Sequence, residues 1–273
     1  MSDPYFQLIN RVLTEGKMSN SYKPALLRSM ANYGSSGNTD LCVSWSSLAE
    51  QFVRYYWPLA VKHHIRQATV PGKEPVVIKL IQYLGVVSKV TVEQFVRRSP
   101  RRYRELIDRL STPGSDCCLD EVVPRFHNLR GDPPALLYST PSKQQIDLTQ
   151  DSLNFLTKNH ETLRLLSIGR WVKFTEKYSK APRIYEKIEG RLKRGSVKPY
   201  RDALVTSGMA IQCFYCRNQL DSDWAIDHFL PWSFVLDDKL WNLVPSCRGC
   251  NSDKSDSIPV DHLDRLFEKN ARL

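Results

Sequence analysis

Cys213, Cys216, Cys247 and Cys250 form two Cys-x-x-Cys pairs, and the dipeptide Asp227-His228 stands between them. Four thiolates at this spacing close a tetrahedral zinc site, with Zn–S bonds of about 2.3 Å, and leave no coordination position open for chemistry. Such a zinc is structural. It ties the ends of the intervening segment together, so that Asp227, His228 and Asn242 within it and Asn251 just after it converge. Of these, His228 is the candidate general base, because a neutral imidazole with an ordinary pKa of about 6.5 can take a proton from water at neutral pH.

The elements that must position these residues are readable between the cysteines. Plain zinc ribbons place about 15–20 residues between their two knuckles, and the run from Cys216 to Cys247 is longer by roughly a hairpin's worth. The inserted text, Trp224 to Pro245, reads as an apolar strand, a turn around Asp237-Asp238-Lys239 and a second strand through Trp241-Asn-Leu-Val244. After Cys250 the polar run Asn-Ser-Asp-Lys-Ser-Asp has no strand alternation and fits a short helix that ends before Pro259.

With that strand, strand and helix order, residues 213–259 resemble an HNH endonuclease domain of the ββα-metal type, with His228, Asn242 and Asn251 standing for the three letters. The runs Ile226-Asp-His-Phe-Leu-Pro-Trp-Ser233, Asp237-Asp238, Trp241-Asn-Leu-Val-Pro245 and Asn251-x-x-Lys254 are also similar to the HNH domain of RNA-guided CRISPR effector nucleases, which often lack the cysteines. The resemblance implies phosphodiester hydrolysis. It implies that Asp227 and Asn251 hold a catalytic Mg²⁺ or another divalent cation, that Asn242 braces the loop carrying the base, and that Lys254 contacts a phosphate. Adjacent strand residues point to opposite faces, so a bulge or the strand's end near Pro231 is expected to re-aim Asp227 or His228. On the cysteines alone a purely structural knuckle is the plainer reading. Asn242 also fits an ordinary strand-end residue, and Lys254 a solvated lysine.

Composition bounds the rest. At 273 residues the chain is long enough for two modest domains. Its first residues show no secretory leader, and no run approaches the roughly 18 apolar residues of a membrane span. Seven cysteines, four of them assigned to zinc, leave Cys42, Cys117 and Cys118 without a role, which points to a reducing, cytoplasmic setting. The remaining histidines, His63, His64, His127, His160 and His262, read as surface or packing residues.

The net charge of +10 does not lie in the candidate nuclease module. From Val205 to Ile258 four basic residues face seven acidic ones, a net of −3. The positive charge sits upstream, in Arg97, Arg98, Arg101 and Arg102 and again in a run that includes Lys187, Arg191, Lys193 and Arg194. Phosphate contacts of this kind supply sequence-independent affinity by releasing counterions, so the upstream part is expected to grip DNA; solvated helix faces are the simpler alternative.

Upstream the pattern is mostly helical. Ser47-x-x-Glu50 and Thr91-x-x-Gln94 read as capping boxes that open helices. The stretch 113–134 reads as a long loop, Ala135–Tyr138 and Gln145–Leu148 as a hairpin, and Leu156 to Tyr178 as the apolar stripe of a long helix. The basic run to Arg201 continues that helix or links it onward. The expected fold is α+β: a mainly helical DNA- or partner-binding domain over residues 1–200, then the HNH domain with its structural zinc over 201–273. Residues 1 to about 200, through texture such as Tyr55-Tyr56-Trp57-Pro58, loosely resemble HNH proteins encoded near prokaryotic phage-defence genes, Zorya-type systems for example. One active site per chain implies nicking of one strand. The competing readings are a zinc-stabilised nucleic-acid-binding or adaptor module that does not cut, and an effector gated by a partner protein.

Overall fold

The computed structural model describes residues 3–85, 90–190, 194–207 and 210–271. The chain divides into two compact units, Met1–Gly190 and Arg191–Leu273, with the division at Gly190 and not at residue 200. Helix Lys198–Thr206 belongs to the second unit, because it packs on the strand that carries Asp227 and His228.

The first unit runs α1 (Pro4–Thr14), α2 (Tyr22–Ser35), β1 (Cys42–Ser44), α3 (Trp45–Trp57), a π turn (Pro58–Lys62), α4 (Val76–Gly85), α5 (Val92–Arg98), α6 (Pro100–Ser111), α7 (Cys118–Val122), β2 (Ser139–Ser142), β3 (Gln145–Asp147), α8 (Gln150–Glu176) and α9 (Ile184–Glu189). Its core is built on α2 against α8. A Cβ at Gly34 would stand 2.6 Å from the Leu156 carbonyl carbon, so glycine is what lets the two helices approach this closely. Trp171 is fully buried, and its indole N–H donates to Gln67 Oε1 at 2.6 Å. The same oxygen accepts from Ser21 at 2.8 Å, so this interior amide is bonded and not stranded.

The Thr91 capping box forms as read, with Gln94 N donating to Thr91 Oγ1 at 3.3 Å and Thr91 N to Gln94 Oε1 at 3.0 Å. Several other readings change. Helix α3 is capped by Ser44, not Ser47: Ser44 ends β1 in extended conformation and its hydroxyl accepts from Ser47 N at 3.2 Å. The expected loop 113–134 contains α7, which buries Cys118 and Leu119 beside Cys117. The hairpin strands are Ser139–Ser142 and Gln145–Asp147, and β1 pairs antiparallel with β3, adding a third strand from a hundred residues upstream. The long helix stops at Glu176, and short helices follow it.

The second unit contains α10 (Lys198–Thr206), β4 (Trp224–His228), α11 (Trp232–Val235), a 3₁₀ turn (Leu240–Asn242), β5 (Leu243–Cys247), α12 (Arg248–Lys254), a second 3₁₀ turn (Val260–His262) and α13 (Leu263–Asn270). Strands β4 and β5 pair antiparallel without interruption, from Trp224 opposite Cys247 to His228 opposite Leu243. No bulge intervenes. The connection is longer than a simple turn, since α11 and the 3₁₀ turn fill it. Helix α12 begins at Arg248, before Cys250, and packs on both strands, completing ββα. Among the described residues no helix is long and apolar enough to cross a membrane.

Candidate active site

The four cysteine sulfurs lie within 4.8 Å of one another and form the one cluster of three or more potential metal ligands found among the described residues. The first knuckle turns at Arg217, whose φ of 68° lies in the left-handed region, with Arg217 N donating to Cys213 O at 2.9 Å. It docks on β5 through Phe214 N and Pro245 O, 2.9 Å apart. Cys247 caps α12, its sulfur accepting from Cys250 N at 3.5 Å. Burial opposes the Cys213 thiolate, but N–H groups of Cys247, Cys216 and Tyr215 outweigh it and bring its pKa to about 6. Burial and the neighbouring Cys247, Cys216 and Cys213 raise Cys250 to about 12. Thiols crowded so closely cannot all ionise together unless a cation joins them, and the all-sulfur donor set and spacing suit a tetrahedral metal such as zinc.

Asp227 and His228 are both buried, at 8% and 2% exposure, and they face opposite sides of the strand as its uninterrupted register requires. Asp227 turns toward the knuckle and α12. Its Oδ2 accepts from Tyr215 O–H at 2.6 Å and lies 3.2 Å from the Lys254 ammonium. Burial, followed by the hydrogen bond and charge of Asp227, pushes the Tyr215 phenol well above its usual pKa, so it remains a donor.

His228, the last paired residue of β4, turns the other way. Its Nε2 lies 2.8 Å from Asp238 Oδ1 and its Nδ1 2.9 Å from an amino nitrogen of Arg194. Burial first, and then the Arg194 charge, lower the imidazole's pKa against the opposing pull of Asp238, so the ring is neutral at neutral pH. Neither a bulge nor the strand's end near Pro231 re-aims Asp227 or His228: β4 stays in register and each of its faces receives one of the two side chains.

Asn242 is fully buried and ties the chain just past the histidine. Its Oδ1 accepts from Leu230 N at 2.7 Å, its Nδ2 donates to Leu230 O at 2.9 Å, and its own carbonyl accepts from Phe229 N at 2.8 Å. Lys254 does not extend toward solvent. It is buried, and its ammonium donates to the His228 carbonyl at 2.8 Å beside Asp227. Asn251 is half-buried on α12, the helix that packs on β4. Helix α13 secures the frame from outside, with Arg265 donating to the Phe214 and Tyr215 carbonyls at 3.1 and 2.8 Å, and Lys269 to Leu240 O at 2.7 Å.

The basic residues separate into three groups. Arg97 and Arg98 at the end of α5 and Arg101 and Arg102 at the start of α6 are exposed and carry no carboxylate partner among the described residues. Lys187 is 2% exposed inside the first unit, its pKa lowered to about 8 chiefly by burial; it is a packing residue and not a phosphate contact. Arg194 touches the candidate base, while Arg191 and Lys193 lie outside the described residues.

Two residues at the site escape the sequence: Tyr215, hidden between two ligating cysteines, and Asp238, read as part of a turn; Arg194 is named there as a phosphate contact but not as a neighbour of the base. The doubled acidic pair Asp237-Asp238, ten residues past His228, was the available signal for the second.

Residues 213–260 match the family described as HNH endonuclease, and residues 3–89 match one described as Domain of unknown function (DUF8808). No curated protein and no solved structure matches the chain. The interval from the first knuckle through β4, β5 and α12 is the matched segment, and it holds the cysteine cluster, Asp227, His228, Asn242 and Asn251 in one small frame. The C-terminal unit thus contains an HNH endonuclease domain, residues 213–260, built on a four-cysteine cluster.

Proposed function

We propose that the chain is a metal-dependent endonuclease that hydrolyses DNA phosphodiester bonds, nicking one strand per active site. The observation that carries this reading is His228: a buried, neutral imidazole at the end of β4, flanked by Asp238 and Arg194 and one residue from the Asp227 carboxylate. A base in that state can accept a proton from water without first losing one.

Cys213, Cys216, Cys247 and Cys250 would hold a structural Zn²⁺, and Asp227 with the Asn251 side-chain oxygen would hold Mg²⁺, which keeps several waters and needs only one or two protein ligands. Bound there, Mg²⁺ would stabilise charge on the phosphate and on the departing oxygen. The chain's own residues do the rest. Asn242 holds the loop after the base, and Lys254 holds the His228 carbonyl while balancing the Asp227 charge.

Arg97, Arg98, Arg101 and Arg102, exposed and without carboxylate partners among the described residues, support a role for the first unit in holding DNA by its phosphates. The likeness of that segment to HNH proteins near phage-defence genes supports a defensive role in a prokaryotic cytoplasm, alongside other defence proteins. In the test, supercoiled plasmid is incubated with the zinc-loaded full chain, with Mg²⁺ added or without it. Open circles in Mg²⁺ alone, sealed by ligase because the ends are 5′-phosphate and 3′-hydroxyl, are expected. Tight plasmid binding without nicking in any divalent cation would favour a zinc-stabilised binding or adaptor module.

A further inference from the structure

Both ring nitrogens of His228 are engaged by residues to which the nuclease reading gives no step: Nδ1 by Arg194 at 2.9 Å and Nε2 by Asp238 Oδ1 at 2.8 Å. A guanidinium has N–H donors and no acceptor, so Nδ1 must be the accepting nitrogen. The ring's single proton is then on Nε2, which donates to Asp238. The carboxylate is itself held in place. Its Oδ2 accepts from Gly195 N at 2.7 Å, and a Cβ at position 195 would stand 2.8 Å from that oxygen, so a larger residue there would push the carboxylate aside. Burial opposes ionisation of Asp238, but the Gly195 N–H and the His228 hydrogen bond outweigh it and hold the carboxyl below its usual range. Residues 194 and 195 therefore make adjoining contacts, one to the ring and one to the carboxylate that orients it.

We propose that Asp238 is a positioning residue that fixes the Nε2-protonated tautomer of His228, that Nδ1 is the atom that takes the proton from the attacking water, and that Arg194 frees Nδ1 by moving its guanidinium to a phosphate oxygen of the substrate. This rests on the nuclease reading. A lone pair bonded to a guanidinium cannot accept a proton from water, so Arg194 must leave before hydrolysis. A phosphodiester gives it reason to, since two anionic oxygens in one plane suit the fork of N–H groups better than one neutral nitrogen does. In the step itself a water O–H bond breaks and its proton goes to Nδ1. The oxygen bonds to phosphorus as the bond to the 3′ oxygen breaks, and that oxygen takes a proton from solvent. Binding of DNA thus unmasks the base, and the same arginine becomes a contact to the phosphate being cut.

The test uses the full chain labelled with ¹⁵N-histidine, with His228→Ala identifying the resonances of residue 228. The wild type should give the shift pattern of a neutral, Nε2-protonated ring, as should Arg194→Ala, in which the Asp238 bond alone holds the proton; Arg194→Ala/Asp238→Ala should give a mixture of tautomers. In single-turnover nicking, Asp238→Ala should lower kcat about 10- to 100-fold, part of the roughly 10²–10⁴-fold that a positioned base contributes, with KM changed less than about twofold. Asp238→Asn, which keeps an acceptor oxygen, should recover much of the loss. An Nε2-protonated ring that persists in Arg194→Ala/Asp238→Ala, or a kcat of Asp238→Ala within about twofold of wild type, would overturn the role of Asp238. Arg194→Ala should lower kcat/KM about tenfold, the order of one charge-assisted contact; nicking as fast as wild type or faster would overturn the transfer of Arg194 to substrate. If the wild type does not nick at all, the nuclease reading fails, yet the ¹⁵N pattern still decides Asp238. Adding duplex DNA with no divalent cation supplied then decides Arg194: the Nδ1 resonance moves if the guanidinium leaves it, and a stationary resonance contradicts the transfer.

Discussion

The two units are held together by different forces. Between Leu8 and Ile188 the first buries 51 apolar residues in one continuous cluster among the described residues, anchored by Trp171, Tyr56 and Phe52, so burial of apolar area dominates its stability. The described residues of the second include nine such residues around Trp224, Phe229 and Val244. A core that small does not by itself fix a site of buried charges, and the work passes to the cysteine cluster and to a polar set, Tyr215, Asp227, Lys254 and Asn242, whose hydrogen bonds tie the first knuckle, α12 and the 3₁₀ turn to β4 and the residues just after it. The large apolar unit would keep its fold without metal, while the small polar unit, where the chemistry lies, would not. Functional residues sit where stability is conditional, because a buried Asp, His and Lys within a few ångströms of one another are what a catalyst needs and what an apolar core excludes.

The sharpest way to break this contrast is to remove the metal. Cys247→Ser, or a zinc chelator, should unfold the second unit, since structural zinc contributes on the order of 10–16 kcal/mol of apparent binding energy in such sites. Helices α1 to α9 should keep their ellipticity. A folded second unit with much less than one zinc per chain by elemental analysis would refute the contrast.

Lys254→Ala should cost the second unit about 3–5 kcal/mol, because it strands the buried Asp227 carboxylate and frees the His228 carbonyl. Two-transition denaturation should show the lower transition shifting and the upper one fixed. Equal shifts in both would mean the units are not energetically separate.

The first unit has its own sensitivity, to acid. His127 Nε2 accepts from Leu137 N at 3.1 Å, and burial, with a smaller push from the Lys23 charge, lowers its pKa to about 4. The ring is neutral when folded and binds a proton more readily when unfolded. Its contribution, at most about 3 kcal/mol, is therefore full above about pH 6.5 and lost as pH falls toward 4. Replacing His127 with Gln should flatten the stability of the first unit across that window, measured by denaturant midpoints; an unchanged pH profile would place the titration elsewhere.

The smallest effect is on DNA. Replacing Arg97, Arg98, Arg101 and Arg102 with alanine should leave both transitions in place and flatten the salt dependence of binding, by roughly 0.9 in log–log slope for each phosphate no longer neutralised. A slope equal to that of the wild type would make these arginines a solvated face.

How much of this was legible in the sequence follows the same division. Short-range chemistry was readable: the cysteine spacing, the Thr91 capping box, the apolar stripe of α8, and the ββα order around His228 all depend on neighbours within a few residues. What was not readable depended on segments that meet across long separations. Lys187 looked like a phosphate contact because its neighbours are basic, but its burial is decided by packing within the first unit. Strand β1 joins β3 from a hundred residues away, and its end at Ser44 moved the cap of α3. Lys254 read as a solvated or phosphate-binding side chain, and only the packing of α12 on β4 turns it inward. Asp238 and Arg194 meet at His228 from opposite sides of it in the second unit's sequence, a coincidence that no local pattern encodes.

The most direct measurement is nicking of supercoiled plasmid in Mg²⁺ by His228→Ala, with zinc content and thermal transitions checked on the same preparation. One zinc per chain, both transitions intact, and a rate reduced by roughly 10²–10⁴-fold or more are expected. A variant that is folded, zinc-loaded and cuts at close to the wild-type rate would contradict the assignment of His228 as the base.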